Sequence, residues 1–129
     1  MIATTERGPR DIQERAFDFA CRIVRLHQHL AKSRGTARTL AGQVLRSGTS
    51  IGANLEEASA GQSKADFVSK CSIALKEARE THYWLRLLVA TNLLSTGQTA
   101  ALLEAANTLV AILTSIVKKA STCPTRGKR

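Results

Sequence analysis

Two stretches of the chain concentrate the residues able to do chemistry. The first runs from Arg46 to Ala58 and places Ser47, Ser50, Asn54 and Glu57 at steps of three, four and three. The second runs from Ala74 to Leu85 and places Glu77, Glu80 and Trp84 at similar steps. On a helix such spacing lines residues up along one side. Two such rows on adjacent antiparallel helices can face one another. Carboxylates and amides hidden there need partners, and Arg46, the serine hydroxyls and the Trp84 indole N–H can supply the donors. The rows are therefore expected to form a polar interhelical or intersubunit network that fixes register, with a binding site on Arg46, Ser50, Asn54 and Glu57 as the rival reading.

Catalysis fits these residues poorly. A di-iron bundle needs E-x-x-H pairs on two helices, and the chain contains none. His27 and His29 stand two apart and so point to nearly opposite sides of a helix. Ser47 and Ser50 have no neighbouring histidine in sequence to activate them. No phosphate-binding glycine loop or nucleophile elbow occurs. Cys21, Cys71 and Cys123 are odd in number and form no C-x-x-C pair, which speaks against a disulfide framework and a zinc site. The sequence thus predicts no catalytic residue, no metal and no cofactor. Arg22 and His27 form an R-x4-H pattern that resembles the motif of HEPN-type ribonucleases. In those enzymes the histidine would act on the ribose hydroxyl and the arginine would stabilise the phosphate. Its place on the first helix fits that family badly.

The elements that must position the two rows are four helices. Between Pro9 and Pro124 there is no proline and no alternating β-branched run, so strands are poorly supported. Helix 1 is expected from Asp11, in a capping box with Glu14, to about Ser33, with Gly35 as its stop. Its inner face is Ile12, Ala16, Phe19, Ala20, Ile23, Val24 and Leu30. Helix 2 is expected from Thr36 to about Ala60, with a stripe of Leu40, Val44, Ser47, Ile51, Asn54, Leu55 and Ala58. Gly48 and Gly52 lie within that stripe. Each costs up to ~1 kcal/mol against alanine in a helix, which a closely approaching helix would offset. Helix 3 starts at Ser63, capped with Asp66, and carries the seam Phe67, Cys71, Ala74, Ala78, Thr81, Leu85 and Leu88. Helix 4 begins after a turn at Leu94–Gly97, with Ser95 and Gln98 as a cap, and reaches about Lys119.

The chain of 129 residues suits one domain. Residues 11–120 are expected to form an all-α, antiparallel up-down four-helix bundle, with flexible ends at 1–10 and 121–129. No signal-peptide core and no uninterrupted run of 18 apolar residues occurs, so a cytoplasmic protein without a membrane span is expected. Helix 4 is apolar on most of its sides, which predicts burial against another copy of the chain.

The formal net charge is +9. Such a charge favours an anionic partner, RNA or DNA, held through its phosphates. The candidate contacts are Arg22, Arg25, Arg34, Arg38, Lys118 and Lys119. A protein-interaction module without direct nucleic-acid binding, such as a polymerase partner, is the second expectation.

The pattern R-S-x-x-S-I-x-x-N-x-x-E beginning at Arg46, followed by E-x-x-E-x-x-x-W-L beginning at Glu77, resembles the four helix bundle proteins of the 23S rRNA intervening-sequence family. The resemblance spans about residues 11–119 and is most specific over 46–94. Ala58 departs from it, since many relatives carry glycine there. The resemblance implies a barrel-like homopentamer of antiparallel bundles. It also extends to a more distant relative, the accessory protein of diversity-generating retroelements, which binds nucleic acid and a reverse transcriptase through a basic surface.

Overall fold

The computed structural model describes residues 9–61 and 63–122, the side chains of Pro9 and Arg10 excepted. Four helices follow in chain order: α1 (Pro9–Leu30), α2 (Thr36–Ser59), α3 (Lys64–Ala90) and α4 (Thr96–Thr122). Among the described residues there is no strand.

Each helix packs on its neighbours in sequence, and α1 closes the ring against α4 along the sparsest of the four seams. Position numbers facing each other show the directions. Gly48 lies against Ile23 and Gly52 against Ala16, so α2 runs opposite to α1. Arg46 meets Glu80, Ser47 meets Thr81 and Glu57 meets Lys70, so α3 runs opposite to α2. Ile12 and Ile116 share one end of the bundle with Phe67 and Cys71, which sets α4 antiparallel to both α1 and α3. The bundle is up-and-down, with the 31–35 and 91–95 turns at one end and the 60–63 turn at the other.

The apolar stripes meet in one core. Ile12, Ala16, Phe19 and Ile23 of α1 pack on Val44, Ile51 and Leu55 of α2, Ala74, Ala78 and Leu85 of α3, and Leu109 and Leu113 of α4. Each large side chain buried this way contributes about 1.5–3 kcal/mol. Gly48 explains how α1 and α2 come so close. A Cβ there would sit 2.9 Å from Ile23 Cγ1 and Cγ2, inside van der Waals contact.

The helix ends show what local chemistry the sequence carries and what it hides. Ser63 accepts from the Asp66 amide at 3.0 Å. Ser95 Oγ accepts from the Gln98 amide at 3.1 Å while Gln98 Oε1 accepts from the Ser95 amide at 3.0 Å, a reciprocal capping box. At the end of α3, Asn92 adopts φ 63°. Leu93 N–H then donates to Leu88 O at 2.9 Å and Asn92 N–H to Val89 O at 3.0 Å, a Schellman closure. The start of α1 differs from the expectation. The helix begins at Pro9, where the missing N–H costs nothing, so Asp11 lies inside the first turn and forms no capping box. It also ends at Leu30, ahead of Gly35. Gly35 instead takes φ 67° as the residue leading into α2. Val24, expected on the inner face, is 40% exposed. The expected flexible ends fall largely outside the described residues, while Ser121 and Thr122 are helical.

Helix α4 is long and apolar enough, by length and composition, to cross a membrane, yet only 22% of its most apolar window is buried within the chain. The length is not one uninterrupted apolar run, because Glu104, Asn107 and Thr108 break it without much lowering its average.

Candidate nucleic-acid interface and its polar support

The α2–α3 seam carries a polar cluster built outward from the core. Ser47 and Thr81 are fully buried, and their hydroxyl oxygens lie 2.8 Å apart. Ser47 donates to Gln43 O at 3.0 Å, and Thr81 lies 2.8 Å from Glu77 O. These backbone carbonyls, one turn back on each helix, complete the bonding of the pair. One helical step outward, the Arg46 guanidinium donates to Glu77 Oε1 at 3.2 Å, to Gln43 Oε1 and to Glu80 Oε2. Glu80 Oε2 also accepts the Trp84 indole N–H at 3.0 Å. Arg46 is about half exposed, whereas the Glu77 side chain is 14% exposed. A pair so open to water adds little stability. Its bidentate reach across two carboxylates instead fixes side-chain geometry.

The eight residues expected in one network separate into distinct groups. Arg46, Glu77, Glu80 and Trp84 act together, and Ser47 pairs inward with Thr81. Asn54 Nδ2 donates to Ser50 O at 2.8 Å within α2 alone. Glu57 accepts from Lys70 Nζ at 2.7 Å across the 60–63 turn, and this hydrogen bond raises the Lys70 pKa. Ser50, Asn54 and Glu57 therefore do not reach α3 as a continuous row. The row twists around α2, because steps of three and four drift relative to a straight seam. Gln43 and Lys70 are partners the sequence reading missed. Gln43 was legible as the residue three before Arg46; Lys70 was not, since it needs the α2–α3 register.

Among the described residues Ser47 and Ser50 share no hydrogen bond with a histidine; their partners are hydroxyl, carbonyl and amide groups. Burial pushes the Cys71 thiol pKa up, which keeps it un-ionised. Among the described residues no three His, Cys, Asp or Glu side chains converge as a metal site. Arg22 lines a cleft of about 370 Å³ between α1 and α4, with Arg15, Asp18 and Glu104 on the rim and Phe19 and Leu109 at the floor. Five residues on, His27 is turned by ~140° around the helix, so the two do not face one phosphate.

The candidate cations divide between the two ends of the bundle. Arg22, Arg25, Arg34 and Arg38 belong to the half holding the 31–35 turn. Lys118 and Lys119 lie near the end of α4, in the opposite half, which also holds Asp11, Glu14, Glu56, Glu57 and Asp66. The six therefore do not form one surface. The basic half gains Lys32, Arg79 and Arg86 instead, which sequence spacing alone did not bring to this end. Its acids among the described residues are Glu77, Glu80 and Glu104, with Asp18 at its margin in the Arg22 cleft, and Arg46 already engages the first two.

A family model described as 23S rRNA-intervening sequence protein matches residues 10–115. The chain belongs to this family. A crystal structure of a member of the S23 ribosomal protein family from Bacteroides thetaiotaomicron, described as a protein of unknown function, is 41% identical. Its TM-score is 0.77, with 83% of this chain and 98% of that chain covered. No curated protein matches the chain. Membership of the 23S rRNA-intervening sequence family accords with the four helices, and neither description names a catalytic activity.

Proposed function

We propose that this protein is a cytoplasmic, non-enzymatic, homo-oligomeric bundle that binds RNA or DNA through the phosphates. The separation of charge along the bundle axis carries this reading. Arg25, Lys32, Arg34 and Arg38 are exposed around the 31–35 turn, and no ion pair among the described residues engages them. A concentration of cations without nearby anions focuses a positive potential and attracts polyanions at long range. Contacts of this kind position a nucleic acid with little base preference. Self-association is supported by α4, where Leu103, Val110, Ile112 and Val117 are only partly buried by their own chain; the family resemblance suggests five subunits.

The test is fluorescence anisotropy with labelled RNA at several salt concentrations. Affinity falls steeply with salt, and Arg25→Glu with Arg38→Glu weakens binding and lowers the salt slope by about one per phosphate contact removed. Lys118→Glu with Lys119→Glu changes it far less. Failure of the wild-type protein to bind at low salt rejects the reading.

A second reading rests on Phe17, which is 65% exposed in a depression with Gln13, Glu14, Asp18 and Glu56. An apolar ring among carboxylates suits a basic protein partner better than a nucleic acid. A pull-down that survives nuclease and high salt and is lost in Phe17→Ser favours it.

A further inference from the structure

We infer that the outward face of α3 is a base-stacking platform for single-stranded nucleic acid, with Tyr83 as the stacking ring and Lys76, Arg79 and Arg86 as phosphate contacts; this rests on, and sharpens, the nucleic-acid reading above. The four residues stand at steps of three, four and three, so they form one stripe along the helix. All four are exposed, Tyr83 by 51%. No ion pair among the described residues engages the three cations. The nearest acids on the same helix, Glu77 and Glu80, are turned toward α2 and held by Arg46.

An exposed tyrosine by itself is ordinary. This one is braced. Its ring meets Trp84 edge-on, with centroids 5.2 Å apart and planes at 68°. Trp84 is in turn fixed through its N–H to Glu80, and Glu80 through Arg46. The polar cluster on the α2–α3 seam thereby gains a purpose that stability does not give it, namely to hold an aromatic face still. A ring already immobilised loses little entropy when a base stacks on it, and stacking tolerates any base. Arg79 and Arg86 are separated by seven residues, or ~10.5 Å of helix, which spans about three nucleotides of a stacked strand at ~3.4 Å each. A convex helix face cannot reach the stacked interior of a duplex, so the fitting ligand is a single strand.

The experiment compares a short fluorescein-labelled oligouridine with a duplex RNA of equal length, at low salt, on the full chain. Tyr83→Ala is expected to lose about tenfold in affinity for the single strand and to leave duplex binding unchanged, while Tyr83→Phe binds as wild type. Trp84 is the chain's single tryptophan, so unlabelled oligouridine should quench its emission in the wild type and in Tyr83→Phe. Circular dichroism confirms the fold of each variant. If Tyr83→Ala binds oligouridine as well as the wild type, the platform is overturned while phosphate binding at the basic end stands. If the wild type binds neither probe, both readings fall.

Discussion

Thr81 and Ser47 face each other across the α2–α3 seam with their hydroxyl oxygens 2.8 Å apart and both side chains fully buried. This contact lies one helical step inside the Arg46–Glu80–Trp84 relay. Removing either hydroxyl leaves the other with one partner fewer in a dry seam. Thr81→Val and Ser47→Ala are each expected to lower stability by about 1–2 kcal/mol. The double variant should lose less than the sum, as a double-mutant cycle in urea unfolding will read.

Gly48 makes the α1–α2 contact possible, so Gly48→Ala sets helix propensity against packing. Alanine gains up to ~1 kcal/mol of propensity. Its Cβ collides with Cγ1 and Cγ2 of Ile23, atoms close to the backbone that cannot swing away, and overpacking costs ~1–3 kcal/mol. The net expectation is a lower melting temperature. In an Ile23→Ala background the same substitution should become neutral or stabilising, because the colliding atoms are gone.

Much of this architecture was legible in the sequence, and the parts that were not have physical causes. The seam of α3 from Cys71 to Leu88 was readable because its residues repeat at four and three and are buried as that spacing demands. The caps at Ser63 and Ser95 were readable because each needs only residues three apart. The start of α1 was misplaced because Asp11 is equally at home in a first turn, where the helix dipole favours it. The division of Lys118 and Lys119 from Arg25 and Arg38 was hidden because it depends on which helix ends coincide. The relay to Trp84 was legible as a set of residues, but the bracing of Tyr83 required the rings' geometry.

His82 supplies a pH signature. Its pKa is lowered by burial first and by the neighbouring Arg86 second. The unfolded chain, with the ordinary histidine value of 6.5, therefore binds its proton more readily than the folded one. Stability is unaffected above that value and declines as pH falls below it, toward the depressed folded value. Subtracting the pH profile of His82→Gln from that of the wild type should isolate this slope. A flat difference would show that the histidine is solvated.

The half-buried side of α4 predicts association. Leu103, Val110 and Val117 recur at intervals of seven and remain partly exposed. Light scattering should find the wild type larger than one chain, and Val110→Glu should reduce its mass while retaining helical circular dichroism. A monomeric wild type at micromolar concentration would remove α4 from any interface.

Where a polyanion sits on the bundle is the most direct question to put to the account. Ultraviolet cross-linking to oligouridine followed by peptide mass spectrometry answers it. Adducts are predicted at Tyr83 and in the peptides spanning residues 25–38 and 76–86, with few at 56–70 or 118–122. Adducts concentrated at the end holding the 60–63 turn, or spread evenly along all four helices, would contradict it.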